Sequence, residues 1–506
     1  MRTVFPRSDR HRLLAVLVVA VVLVSACSTD KQFDRPKASS TTAPKGTAAA
    51  PDPNNSADQL IFWINHKEFA PLSDAQLQQW KSRGVDGFVS VVQWLRGMGG
   101  GQDFTGDARD SLQGANYDYQ RQLRDSQLLE RMKGMGMKAY LGFYLANQTG
   151  GNTPLMDWFD DDAWTNQVLP KVRDIAGAAK LLGFSGLAFD QELYPQTGNV
   201  QKASWSVGYT GNTHSAADTR AKVYQRGRQM MQTILSVFPD VQIVSYNAQL
   251  PEGWEELVQQ QANGIPDSNA SSVSIDLWNG LTSVPGYHEI RFIDAIFYKS
   301  TQLRNATWDN ALQYNANRMY AMLSRRFGNW AYASSRVEVA PFAWIDDGNT
   351  RFEAARGPDA VAEQLTAFRK WSAGRELTNF AYGFNTFDYG PYVKAMQAAS
   401  TPGVVDSEPP KIDVQAPKPD GDKVDLAGTA TDNLAVRAVL WQVAGGASGA
   451  AQMNWKVKSG DYASGYNWEM QWTAAGVPLK KGQNQITVTV EDLKGLTTTS
   501  TVSVTV

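Results

Sequence analysis

The chain has 506 residues, with 48 basic and 50 acidic side chains and a formal net charge of −2. That length allows two or three domains with a large core, and the near balance of charge offers no basic field for nucleic acid. One cysteine, Cys27, excludes an intramolecular disulfide, and the four histidines show neither His-x-His nor His-Glu-x-x-His spacing, which argues against a zinc centre.

Arg2, Arg7, Arg10 and Arg12 precede an apolar run from Leu13 to Val24 that is short for a membrane span. The run ends in Val24-Ser25-Ala26-Cys27, after which the residues turn polar. This resembles a bacterial lipoprotein signal peptide. The resemblance implies cleavage before Cys27, a lipid anchor on Cys27, and an extracytoplasmic, membrane-anchored protein; a plain secretory signal or an uncleaved anchor are the alternatives. Residues 1–26 are then the signal, and 27–57, rich in Ser, Thr, Ala, Pro, Lys and Asp, a flexible tether.

From Gln59 the pattern becomes strands alternating with amphipathic helices. Strands are expected at Leu60 to Ile64, Gly87 to Val92, Lys138 to Tyr144, Gly186 to Asp190, Gln242 to Tyr246, Phe292 to Tyr298, Glu338 to Phe342 and Asn379 to Phe384. Helices are expected at Asp74 to Arg83, Arg121 to Gly134, Asp162 to Leu182, Thr219 to Phe238, Trp308 to Arg326 and Pro358 to Ala373. Such repetition argues for an α/β fold, a (β/α)8 TIM barrel over 58–400. A doubly wound open sheet would want a phosphate-binding glycine turn after the first strand. The glycines at Gly97 to Gly101 follow the second strand and lack the P-loop Lys.

The fourth strand is the informative one. Gly183 to Phe189 carries no charge and ends in Asp190, Gln191, Glu192, Leu193, Tyr194 and Pro195. Side chains two apart on a strand share a face, so Asp190 and Glu192 fall together at the barrel mouth. Two carboxylates that close cannot both ionise freely, and one pKa rises toward that of a general acid. The bland alternative is a pair of carboxylates that caps the next helix or pairs with an arginine.

The stretch Ser185-Gly186-Leu187-Ala188-Phe189-Asp190-Gln191-Glu192 resembles the fourth strand of family 18 glycoside hydrolases, whose motif is Asp-Gly-x-Asp-x-Asp-x-Glu followed closely by Tyr-Pro. The last Asp and the Glu are kept, whereas Ser185 and Ala188 replace the first two Asp. The resemblance implies Glu192 as the general acid and Asp190 as its partner. It also implies that a tyrosine of the sixth strand, here Tyr298, holds an acetamido group of the substrate.

Residues just past each expected strand converge on the same mouth. These are Trp63, Asn65, His66 and Glu68, then Gln93 and Trp94, Tyr144 and Asn147, Tyr194, Tyr246 and Asn247, Tyr298 and Lys299, Trp344, Asp346 and Asp347, and Asn385 and Asp388. Aromatics, amides and carboxylates in such a set suit a polyhydroxylated ligand.

Around 401–410 the rhythm stops in a linker rich in Pro, Ser and Asp, and 411–506 reads as about seven short strands of an all-β sandwich. The pieces Thr431-Asp432-Asn433, Val439-Leu440-Trp441 and Glu491-Asp492-Leu493-Lys494-Gly495 resemble bacterial immunoglobulin-like modules. With its own core, the barrel is expected to fold without this part.

The leading expectation is a cell-surface glycoside hydrolase acting on a polysaccharide or oligosaccharide, a monomer needing no cofactor and no metal, with membrane attachment through Cys27. Asp346 and Asp388 stand in reserve as second carboxylates. A catalytically inactive glycan-binding barrel is the alternative that Ser185 and Ala188 motivate. A metal-dependent hydrolase using Asp160, Asp161 and Asp162, or Asp346 and Asp347, is a third class; against it, an acidic run suits a helix start.

Overall fold

The computed structural model describes residues 59–94, 115–144, 157–190, 207–208, 211–246, 273–293, 308–344, 358–372, 378–382, 406–461 and 465–506. Among them, nine parallel segments form one sheet: β1 Gln59–Asn65, β2 Gly87–Trp94, β3 Lys138–Tyr144, β4 Gly186–Asp190, β5 Gln242–Tyr246, β6 Glu289–Ile293, β7 Val337–Ala340, β8 Phe342–Trp344 and β9 Thr378–Tyr382. Their order is β7-β6-β5-β4-β3-β2-β1-β9-β8. β7 and β8 stand at opposite ends of that order, yet only Pro341 separates them in sequence. The sheet therefore curls until its two ends meet in one stretch of chain. Proline has no N–H to give to a ladder, which is why this strand divides into two pieces. With helices between the strands, the result is a TIM-barrel-like α/β fold.

The ladders set Trp63, Val89, Tyr140, Gly186, Gln242 and Glu289 side by side around the sheet. Strand alternation then separates two faces. One, with Phe62, Leu141, Leu187, Phe189, Ile243 and Phe292, joins helix residues such as Leu77, Val172, Ile234 and Leu323 in a continuous apolar core. The other encloses Ile61, Trp63, Val89, Tyr140, Ala188 and Val244, all at most 2% exposed. At the entry to β4 the strands run so close that a Cβ on Gly186 would lie 2.0 Å from the Gln242 carbonyl oxygen.

The amino-terminal end of this enclosed face is polar. Arg291, 1% exposed, donates from Nε to Glu338 Oε2 at 3.0 Å and from Nη1 to the Tyr140 hydroxyl at 3.1 Å, and pairs with Glu289 at 2.8 Å. Tyr140 in turn donates to Gln242 Oε1 at 2.8 Å. Burial alone would lower the Arg291 pKa; Glu289, Tyr140 and Glu338 outweigh it and raise the pKa. These buried charges explain one difference from the expectation. β6 begins at Glu289, whereas the apolar pattern places the start at Phe292, because Glu289 and Arg291 read as solvent-facing.

Three further differences have local causes. The helix expected from Arg121 to Gly134 is two helices, Ala115–Asp125 and Leu128–Gly134, separated at Gln127, whose φ of 50° is left-handed. The helix expected from Asp162 contains a π turn at Trp164–Val168 before Leu169–Leu182, where Pro170 has no N–H for the carbonyl of Asn166. A helix at Ser274–Thr282 has no counterpart among the expected elements. It packs on the helix Ala216–Val237 through Gly227 and Gly280, where a Cβ would meet a backbone carbonyl oxygen at 2.1 Å.

Past 406 the chain forms two antiparallel sheets. One holds β10 Lys411–Val414, β11 Lys418–Asp420, β12 Lys423–Thr431, β15 Gln452–Asp461 and β16 Gly465–Pro478; the other holds β13 Val436–Val443, β14 Ser448–Ala450, β17 Gln483–Asp492 and β18 Thr497–Thr505. β11 and β14 add to the expected strands. Alternate residues are buried, as with Val424, Leu426 and Ala430 on β12 and Ile486, Val488 and Val490 on β17.

This part docks on the helix Trp308–Arg326. Asn317, 0% exposed, donates from Nδ2 to the Leu434 carbonyl at 3.2 Å and accepts from the Val436 N–H at 3.0 Å. The Met453 N–H donates to Ser324 Oγ at 2.8 Å, and Arg437 Nε donates to the Ser334 carbonyl. Among the described residues no helix is long and apolar enough to cross a membrane.

Candidate active site

The approach to β4 is fixed locally. The helix Leu169–Leu182 ends at Gly183, whose φ of 94° is the left-handed turn that glycine adopts without strain. Ser185 follows, donating its N–H to the Ala139 carbonyl at 2.7 Å, while its Oγ accepts from the Ala139 N–H at 3.3 Å. The position where the resembling motif carries its first Asp thus stitches β4 to β3. Ala188, where the motif carries its second, is 0% exposed and level with Gly142 and Val244. The interior there is apolar and closely filled.

Asp190 is the last residue of β4, opposite Tyr144 of β3 and Tyr246 of β5. Tyr144 pairs with Trp94, and Tyr246 with Ile293. The carboxyl ends of five strands thus place Trp94, Tyr144, Asp190, Tyr246 and Ile293 at one level. Trp94 reaches that level through an irregularity: the β2–β3 register shifts between Val91 and Gln93. The extra residue puts Trp94, and not Gln93, opposite Tyr144 in the ladder. The sequence offers both Gln93 and Trp94 and has no sign of which.

On the far side of the ring Trp344 pairs with Tyr382, and Tyr382 with Trp63. Trp63 is 2% exposed and belongs to the packed interior. His66 opens the short helix His66–Phe69 directly after β1. In the same turn burial pushes the Glu68 carboxyl above its ordinary pKa. Glu192, Tyr194, Asn147, Asn247, Tyr298, Lys299, Asp346, Asp347, Asn385, Asp388 and Cys27 lie outside the described residues.

No family model matches the chain, and no curated protein matches it. Similar solved structures include a glycoside hydrolase family 5 enzyme from Prevotella bryantii B14, with 12% identity, a TM-score of 0.37, and coverage of 65% of this chain and 86% of that one. A family 18 chitinase from Pseudoalteromonas aurantia matches at 13% identity and a TM-score of 0.35, over 68% of this chain and 100% of its own. The PKD1 domain of Vibrio anguillarum Epp matches at 20% identity and a TM-score of 0.14, over 20% of this chain and 96% of its own. With similarities this weak, function rests on the chain's own residues.

The acidic run 160–162 takes a structural part. Asp160 Oδ1 caps the helix start by accepting from the Ala163 N–H at 2.9 Å, and Asp162 accepts from Asn166 Nδ2 at 2.7 Å. Asp161 pairs with Lys222 at 2.6 Å and with Arg226, and hydrogen bonds from these two cations lower its pKa. Arg226 is 1% exposed, donates to the Trp158 carbonyl at 2.9 Å and lies 4.8 Å from the Trp164 ring centre. The run therefore ties two helices together, in line with the helix-start reading and against metal ligation.

Proposed function

We propose that the chain is a glycoside hydrolase acting on a polysaccharide or oligosaccharide, with Glu192 as general acid and Asp190 as its partner. The single observation that carries this reading is the place of Asp190: it ends β4 at the carboxyl edge of a curled parallel sheet, level with Tyr144 and Tyr246, where barrel enzymes assemble their chemistry. Glu192 follows two residues later in the stretch that resembles the family 18 motif.

In this reading Glu192 protonates the leaving glycosidic oxygen. Asp190 either orients the acetamido group of the substrate or acts directly at the anomeric carbon. Because Ser185 and Ala188 supply no carboxylates below it, Asp190 works without a relay, with Asp346 and Asp388 in reserve. Trp94, Tyr144 and Trp344 stack the sugars in this reading, with Trp63 among the substrate-contacting aromatics, and Tyr194, Tyr298, His66, Asn147, Asn247 and Asn385 complete the polar contacts. The same reading takes 411–506 as an immunoglobulin-like sandwich and Cys27 as the lipid anchor.

The test is incubation of the purified chain with a panel of structural and storage polysaccharides, followed by reducing-end measurement and product chromatography. Release of defined oligosaccharides, retained with a chelator present, is the expected result. Retention of a glycan with no new reducing ends would replace the enzyme by the glycan-binding alternative.

A further inference from the structure

Three carboxylates far apart in sequence meet beside the docked turn. Asp406 precedes β10, Asp432 follows β12, and Asp492 ends β17. One carboxylate oxygen from each lies within 4.8 Å of the others. Each residue has one oxygen engaged with the surrounding chain. Asp406 Oδ1 accepts from the Glu408 N–H at 3.1 Å and from Asn433 Nδ2 at 3.1 Å; Asp432 Oδ1 accepts from the Leu434 N–H at 2.7 Å; Asp492 Oδ1 accepts from the Leu496 N–H at 2.9 Å. The other oxygen, Oδ2 in all three, is buried and has no hydrogen-bond partner. Asp492 is 0% exposed.

Buried carboxylate oxygens without donors are costly, and three together repel one another. Either protons or a cation must answer that charge. The donors are all oxygen, with no imidazole or thiolate among them, which selects a hard cation over zinc or copper. Calcium–oxygen bonds of about 2.4 Å span up to about 4.8 Å between opposite ligands, and calcium accepts the irregular shells that loops provide.

We propose that Asp406, Asp432 and Asp492 bind a calcium ion that locks the segment entering β10 to the turn docked on the helix Trp308–Arg326. That turn continues from Asp432 into Asn433, whose carbonyl accepts from Gln313, and Leu434, whose carbonyl accepts from Asn317. The ion thus joins the end of β17, the incoming segment and the docking turn at one point, and acts on stability rather than on the reacting bond.

The experiment is calorimetric titration of the chelator-treated full chain with calcium chloride, together with melting curves in calcium, in magnesium and in sodium chloride of equal ionic strength. One calcium per chain should bind, and saturating calcium should raise Tm by roughly 5 °C, as binding to the folded state alone requires. Asp432→Asn should fold, melt no lower than the wild type in chelator, and weaken binding at least about tenfold. Asp492→Asn should do the same; if its burial prevents folding, Asp432→Asn decides. Absence of binding, an equal response to magnesium or sodium, or an undiminished calcium response in Asp432→Asn would overturn the assignment.

Discussion

Asp190 and Glu192 stand two residues apart in one continuous stretch, whereas Asp406, Asp432 and Asp492 are brought together by strand pairing from three separate segments. The first pair is visible in the sequence because a strand has a period of two and the apolar run before it has an abrupt end. The second set has no sequence signature, since each Asp alone looks like an ordinary turn residue. If the first set acts in chemistry and the second in stability, changes at the two should separate in their effects.

The largest separation is expected for Glu192→Gln. It keeps shape and hydrogen bonding but removes the transferable proton, so turnover on a natural glycan should fall by roughly two to four orders of magnitude. Tm should be unchanged, and steady-state kinetics beside a melting curve checks both.

Arg291→Met should do the reverse. It strands Glu289 and Glu338 at the amino-terminal end of the enclosed face, at a cost of roughly 3–5 kcal/mol in urea unfolding. A second change, Glu338→Gln, should recover part of the loss by removing one uncompensated charge. Failure of the single variant to unfold earlier would show that the polar layer is dispensable.

Asn317→Ala removes two hydrogen bonds at the junction, and a loss of roughly 1–3 kcal/mol is expected because the Leu434 and Val436 backbone groups stay buried. This junction bears on the expectation that the barrel folds without the β-rich part. A chain ending near Ser407 should keep turnover on small soluble substrates at low temperature and melt lower than the full chain, since the cut uncovers the docked face of the helix Trp308–Arg326.

The smallest effect is expected at Asp161. Its folded-state pKa lies below the ordinary value, so the stabilisation it gives is present above about pH 4, the range of a free aspartate, and is lost as pH falls through the lowered value. Melting curves of the wild type and Asp161→Asn should differ slightly at neutral pH and converge in strong acid. Divergence that grows toward low pH would contradict the pairing.

Much of the parallel sheet is legible in the sequence because its strands are apolar runs bounded by charge. Gly186 to Asp190 and Gln242 to Tyr246 match the structure to the residue. The rest is hidden for identifiable reasons. Glu289 and Arg291 satisfy each other indoors, so their charge masks the start of β6. The helix Ser274–Thr282 is short, buried on most sides, lacks a side-chain cap and carries Gly280 at a close crossing, so neither an exposed polar face nor a start signal marks it in the sequence. At the site, Asp190 is legible as a strand end, but the pairing of Trp94 with Tyr144 depends on a one-residue register shift that no local pattern encodes.

Whether Glu192 delivers a proton to the leaving group is decided by comparing wild type and Glu192→Gln on a natural glycan and on an aryl glycoside with a good leaving group. An activated leaving group needs little protonation, so a loss of roughly two to four orders of magnitude is expected on the glycan and a much smaller one on the aryl glycoside. Full activity of the variant on the glycan, or equal losses on both substrates with unchanged melting, would contradict proton delivery by Glu192.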